Sequence, residues 1–296
     1  LGPFGTPEGH RSGRARLIQS LQSGVPLDCE HIRFAYRPNR PVLDDVSLSI
    51  RPGVDRPGSV TTLLGPNGSG KTTLMRLMAG GLTPEGGQIH LDGKRVHALT
   101  AHERARRVAY VPQHPALAFA YPLRTYVAMG RFALGRRTAA VFADEAMKRL
   151  DLMDLSARPV TELSAGQRHR AALARGLCQL LGDRPSGVTR VLLADEPVAA
   201  LDPKHAMLVT ELFKELAHEG VAVVLVLHDL ALAARISDRL ALLLPTGKLL
   251  AEGTPGEVLT DDRLASAFGV GFLRLESEGQ LAALIPDRPA ARADTL

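Results

Sequence analysis

The chain has 296 residues, 36 Lys and Arg against 31 Asp and Glu for a formal charge of +5, and 45% hydrophobic residues, which suits one large domain or two small ones with a sizeable core. Aromatic residues make up 4% and tryptophan is absent, which removes most of the stacking surface used by single-strand nucleic-acid binders; the basic excess is read as solvated charge, with a membrane surface rather than nucleic acid as its possible neighbour. Cys29 and Cys178 are too few for a disulfide framework or a cysteine zinc site and fit a reducing cytoplasm, and the longest apolar run, Val221 to Leu227, is far short of the roughly 20 residues a membrane span needs.

The first segment, Leu1 to Gly24, is rich in Gly, Arg, Ser and Pro and lacks an apolar core long enough for a signal peptide, so residues 1–26 are expected to form a flexible tail. Strand patterns follow at His31–Tyr36, Val42–Ile50, Val60–Leu64, Gln88–Leu91, Val108–Val111, Val191–Ala194, Val221–Leu227 and Leu240–Leu244, separated by helical patterns and turn residues. The fold class is therefore α/β. Between about 100 and 182 the periodicity is mainly helical, at Tyr126–Arg131, Ala139–Leu150 and Gln167–Leu181, which predicts a helical subdomain inserted into the core. Residues 182–189 read as a loop, and Thr254-Pro-Gly256 breaks the chain before two short helices. No internal repeat is present, so one unit spanning 27–270 is expected, with 271–296 as a C-terminal extension.

The chemistry starts at Gly65-Pro-Asn-Gly-Ser-Gly-Lys-Thr72, set between the apolar strand Val60–Leu64 and a helical pattern. Glycines at 65, 68 and 70 let backbone N–H groups turn onto phosphate oxygens. Lys71 adds a point charge, Thr72 a hydroxyl for Mg²⁺, and the helix N-terminus its dipole. This is a phosphate-binding P-loop, and its strand-loop-helix setting implies a nucleoside triphosphate.

A second motif narrows the class. Val191-Leu-Leu-Ala-Asp195-Glu196 is a buried strand ending in two carboxylates, where Asp195 can hold Mg²⁺ and Glu196 can orient or deprotonate the attacking water. Pro197 and Ala200-Leu-Asp202 follow it, and Leu163-Ser-Ala-Gly-Gln167 precedes it at the head of a helix.

In this combination the sequence resembles the ATP-binding cassette (ABC) ATPases from about Leu27 to Val270. The resemblance implies a P-loop NTPase core with an antiparallel β subdomain and an inserted helical subdomain. It also implies that Gly65, Pro66, Asn67, Gly68, Ser69, Gly70, Lys71, Thr72 and Thr73 hold ATP. Thr72, Asp195 and Gln113 would serve Mg²⁺, and Glu196 would be the catalytic base. His228, closing the strand Val221–Leu227, would be the switch histidine against the γ-phosphate, and Gln113 would sense metal and water. Tyr36, ahead of Arg37-Pro-Asn-Arg-Pro41, would stack on adenine, with Phe34 as the competing aromatic.

Ser164, Ala165, Gly166 and Gln167 would be the signature, which in this family faces the nucleotide held by another subunit, with Asp202 in a loop crossing the same interface. Two cassettes facing head to tail are thus implied. Ala165 stands where glycine is commonest and Ala200 where a hydroxyl residue is frequent, and modest effects are expected of both. The loop 51–58 is several residues longer than the usual turn.

A single cassette without a long coiled-coil insert is similar to transporter motors rather than to translation or repair ATPases. Such a motor docks on separate membrane permease subunits at the cytoplasmic face of the inner membrane, and here would use His114 to Leu123 beside Gln113. That segment, the helix ending Met129-Gly-Arg131, the run Leu227 to Arg235 and the ending Glu257 to Val270 resemble importers of ferric siderophores, haem and cobalamin, which also employ a substrate-binding protein. Iron chelates are the expected cargo, with cobalamin or a metal ion as alternatives.

Overall fold

In a computed structural model the described residues are 27–289, except 54–56, 116–118, 136, 183–187 and 278–279. The expected N-terminal tail, the tip of the long 51–58 loop, the middle of the 114–123 segment and most of the 182–189 loop lie outside them.

Strands β1 (Leu27–Arg37), β2 (Arg40–Ile50), β4 (Gly86–Leu91) and β5 (Lys94–Arg95) form an antiparallel sheet in the order β2-β1-β4-β5. The central sheet holds β3 (Ser59–Leu64), β6 (Val108–Val111), β7 (Arg190–Asp195), β8 (Val221–Val226), β9 (Arg239–Leu243) and β10 (Leu249–Gly253), in the order β10-β9-β3-β8-β7-β6. All its neighbours run parallel except β10, which pairs antiparallel with β9. A parallel sheet is covered on both faces, and the sequence of β8, Val-Ala-Val-Val-Leu-Val, is what such burial requires.

Side chains alternate across that sheet with period 2. Val221, Val223 and Leu225 join the core beneath the helices, whereas Ala222, Val224 and Val226 join the core beneath the antiparallel sheet. At roughly 1.5–3 kcal/mol for each large apolar side chain buried, such doubly covered strands anchor the domain.

Helix α1 (Lys71–Met78) follows β3 and buries Leu74, Met75, Leu77 and Met78 against the antiparallel sheet. After α2 (Ala101–Ala105), helices α3 (Leu123–Ala128), α4 (Ala139–Arg149) and α5 (Ala165–Leu180) pack on one another. The stretch 100–182 thus includes β6, which pairs with β7 and belongs to the central sheet; its helical layer starts at Leu123. Helices α6 (Pro203–His218), α7 (Leu230–Ile236), α8 (Pro255–Val258) and α9 (Asp261–Phe268) complete the set.

Beyond α9 the chain forms an antiparallel hairpin of β11 (Val270–Ser277) and β12 (Gln280–Pro289), a feature not anticipated from the sequence. Its inner face packs on α7 and α9, with Phe268 and Phe272 rings edge to face at 5.7 Å. Alternation in Phe272-Leu-Arg-Leu-Glu276 carries the strand signal, but a lone hairpin is stable only where a helix covers it.

Candidate functional site

The strand register brings the motifs to one edge. Thr62 of β3 lies beside Leu225 of β8, Leu225 beside Ala194 of β7, and Ala194 beside Val111 of β6. The segments that leave these strands, carrying Gly65, His228, Glu196 and Gln113, therefore emerge side by side at the carboxyl ends of a parallel sheet, where such folds bind ligands. Asn67, Gly68, Gly70, Lys71, Thr72, Thr73, Gln113, Glu196 and His228 line a single cleft there, together with Val42 and Val226.

At two of its glycines the P-loop has no room for a side chain. Gly65, Gly68 and Gly70 all have positive φ, and a Cβ at 65 or 70 would lie 2.5 Å from the Leu243 carbonyl oxygen or 2.6 Å from the Leu43 side chain. Gly70 precedes α1 without a capping side chain, which leaves the first helical N–H groups open to an anion. Lys71 is 6% exposed and donates from Nζ to the carbonyl oxygens of Gly65 and Pro66, each at 2.8 Å. Burial holds its ammonium below the ordinary lysine range, against the opposing pull of Asp195 and Glu196.

Thr72 Oγ1 donates to Asp195 Oδ2 at 2.7 Å. The other oxygen, Asp195 Oδ1, is buried with no hydrogen-bond partner among the described residues, and so is the Ser69 hydroxyl. Burial raises the Asp195 carboxyl above the usual carboxylate range, and Glu196 adds to the rise while the Thr72 bond and Lys71 oppose it. Glu196 occupies left-handed backbone with φ of 49°, strain of about 1–3 kcal/mol for a non-glycine residue. Its N–H donates to the Val226 carbonyl at 3.1 Å, and its Oε1 lies 2.5 Å from His228 Nε2.

Tyr36 is 54% exposed and does not line the cleft itself, but its hydroxyl lies 3.4 Å from Oγ1 of Thr73, which does. Phe34 is 8% exposed and packs edge-on beneath it at 4.9 Å.

The remaining candidates stand apart. Ser164 caps α5 in a reciprocal box, its hydroxyl accepting from the Gln167 N–H while the Gln167 side chain accepts from the Ser164 N–H. Ser164 and Ala165 are exposed, and among the described residues neither they, Gly166, Gln167 nor Asp202 line the cleft. Asp202 caps α6, accepting from the His205 N–H at 3.0 Å and pairing with its ring at 2.7 Å, contacts that hold its carboxyl below the usual range.

A family model for ABC transporters matches residues 43–199, just over half of the chain. The chain belongs to the ABC transporter family. Among curated relatives, the hemin import ATP-binding protein of Pseudomonas entomophila is 40% identical over 83% of this chain and 94% of its own length. The cobalamin import ATP-binding protein of Halobacterium salinarum is 39% identical over 86% of this chain and 62% of its own. Among solved structures, a dimeric ATP-binding cassette bound to ADP and phosphate matches with a TM-score of 0.67 at 25% identity, over 77% of this chain and 98% of that one. The cassette of an inward-facing metal-chelate type ABC transporter matches in fold, with a TM-score of 0.71 at 24% identity over 88% and 97% of the two chains.

As an ABC ATPase the chain binds and hydrolyses ATP. Among the described residues the donor set fits a magnesium nucleotide: a glycine-walled phosphate cradle, a lysine with no carboxylate partner in hydrogen-bond reach, and a buried carboxylate oxygen without a partner beside a threonine hydroxyl. Sequence reasoning missed Val42, which enters the cleft wall from β2, and His205, which engages Asp202. Val42 carries no chemical signal, and His205 is one of 10 histidines, three residues after the aspartate.

Proposed function

We propose that this chain is the ATP-hydrolysing subunit of an importer for iron chelates, haem foremost, working as a head-to-tail dimer on a separate membrane permease. The observation that carries its catalytic part is the convergence of Lys71, Thr72, Glu196 and His228 on one cleft beyond the ends of β3, β7 and β8, with Asp195 bonded to Thr72 behind it.

In this reading the P-loop N–H groups and Lys71 bind the β- and γ-phosphates, and Tyr36 stacks on the adenine. Thr72, Asp195 and Gln113 hold Mg²⁺, which when bound neutralises charge on the phosphate oxygens. Glu196 accepts the proton of the attacking water, and His228 orients that carboxylate and reaches the γ-phosphate. Ser164, which is exposed, and Gln167, which is half-buried, lie outside the cleft of their own P-loop and act on the nucleotide of the second copy, with Asp202 at the same junction. One chain then holds two half-sites, and ATP joins two chains.

Docking on a permease is supported by exposed apolar side chains in the segments that follow Gln113 in the chain: Phe119 and Tyr121, with rings 5.8 Å apart, are 68% and 40% exposed, and Phe132 is 75% exposed. No helix among the described residues is long and apolar enough to cross a membrane, so attachment at the cytoplasmic face would come through that permease. The hemin import relatives support haem as cargo, received through a substrate-binding protein, and the Halobacterium relative supports cobalamin as the second reading.

Two experiments test the proposal. Glu196→Gln should bind ATP, slow hydrolysis by about 10²-fold or more, and accumulate an ATP-bound dimer; turnover at the parental rate would remove Glu196 from the base role. Deletion of the gene should impair growth on haem or a ferric siderophore as sole iron source. Normal uptake of iron chelates and cobalamin, with a defect in another nutrient, would reject the cargo while leaving the ATPase intact.

A further inference from the structure

Asp151, in the turn after α4, and Asp202, at the start of α6, belong to different parts of the fold, yet one imidazole touches both. His205 Nδ1 lies 2.7 Å from Asp202 Oδ2 and its Nε2 lies 3.5 Å from Asp151 Oδ2. The imidazole is largely enclosed, and Lys204 approaches the same Asp151 oxygen at 3.7 Å from the solvent side. The Asp202 contact is a hydrogen bond, and the Asp151 contact is an approach within ion-pair range.

Two further contacts join this bridge to the helix headed by Ser164. Arg170 of α5, 6% exposed, donates from Nη1 to the carbonyl oxygens of Leu150 and Asp151 at 2.8 and 2.7 Å, tying the turn to that helix. The first turn of α5 then abuts the loop before α6 so closely that a Cβ at Gly166 would lie 2.9 Å from the Ala200 carbonyl oxygen. The signature, the 150–151 turn and the Ala200–Asp202 loop thus form one block, and Ser164, Ala165, Ala200 and Asp202 lie exposed on it.

We propose that His205 is a positioning residue of the ATPase: by bridging Asp151 and Asp202 it locks the Ala200–Asp202 loop to the signature helix, so that a second copy meets one preformed surface. This rests on the head-to-tail dimer. His205 does not line the nucleotide cleft and acts only through the carboxylates it holds. Ordering the loop in the free chain removes an entropic penalty from dimer closure, so losing the bridge weakens closure and leaves nucleotide binding to the single chain untouched.

The test uses the full chain carrying Glu196→Gln, with ATP-driven dimerisation followed by analytical ultracentrifugation and nucleotide affinity by titration under conditions that keep it monomeric. Asp151→Ala is the informative variant, because it cuts the bridge and leaves the Asp202 cap on α6 in place. His205→Ala and Asp151→Ala should each raise the dimer dissociation constant by about tenfold, and the double variant no further, as members of one network do. Monomer ATP affinity should stay at the parental value, and His205→Arg, which restores two donors, should recover most of the dimerisation. Parental dimerisation by Asp151→Ala, or additive losses in the double variant, would overturn the proposal and reduce His205 to part of a helix cap. Failure of the Glu196→Gln parent to dimerise would instead strike the dimer itself, and the proposal with it.

Discussion

Glu196 and His228 lie 32 residues apart in the chain and 2.5 Å apart in space, carboxylate Oε1 against imidazole Nε2. The contact follows from adjacent strands: Glu196 leaves β7, His228 leaves β8, and the Glu196 N–H bonds to the Val226 carbonyl between them. The left-handed backbone at Glu196 turns its side chain into the cleft, and the histidine keeps it there.

His228→Ala should therefore slow ATP hydrolysis by about 10²-fold while leaving ATP affinity nearly unchanged, and the double variant with Glu196→Gln should be little worse than the worse single one, since the two act as a unit. Steady-state turnover and a nucleotide titration decide this. Multiplicative losses in the double variant would show that the two residues work independently.

Asp195 gives a pH-dependent outcome. Burial raises its carboxyl in the folded chain above the unfolded value, so this group stabilises the fold below the unfolded pKa and that contribution is lost as pH rises through the folded one. At neutral pH its charge is therefore unfavourable without a cation. Asp195→Asn keeps an oxygen for the Thr72 hydroxyl, and should raise the Tm of the nucleotide-free chain at neutral pH, with the gain fading as pH falls through the carboxylate range. The same variant should lose magnesium-dependent turnover. An unchanged or lower Tm at neutral pH would mean that the buried carboxylate is already compensated.

Ser164→Arg should leave ATP binding to the single chain close to parental and block ATP-driven dimerisation. The hydroxyl it replaces caps α5, so a modest drop in Tm, equivalent to about 1 kcal/mol, should accompany it. Ser164→Asp, which caps equally well but brings a negative charge toward phosphate, should keep the Tm and still fail to turn over. Normal turnover by either variant would place the signature outside the catalytic assembly.

Tyr36→Ala should weaken ATP binding by about 1–3 kcal/mol, the value of one stacking contact, and Tyr36→Phe should be nearly silent because the hydroxyl contact to Thr73 is long. Fluorescence titration reads both. Phe34→Ala should cost stability instead, since that ring is buried under Tyr36. Weaker nucleotide binding with Phe34→Ala, and none with Tyr36→Ala, would reverse the assignment of the aromatic.

The sequence by itself determined which segments carry phosphate chemistry and which are strands. Three glycines, a lysine and a threonine at fixed spacing between an apolar strand and a helix describe a phosphate cradle before any folding is known, because the backbone freedom and charge needed are local. Two carboxylates after Val191–Ala194 and a histidine after Val221–Leu227 are legible for the same reason, since a strand end is a local property. Only the tertiary structure decided which of these ends are neighbours. Thr72 bonds Asp195 across 123 residues because β8 alone separates β3 from β7 in the sheet, and a period-2 pattern is the same whatever the strand order. The packing of the antiparallel sheet on the P-loop brought Val42 into the cleft wall, and the placement of the helical layer left Ser164 outside it. His205 meets Asp202 through local spacing at the head of α6, but it gains Asp151 only when α6 is laid against the turn after α4, a contact that side-chain spacing along the chain cannot encode.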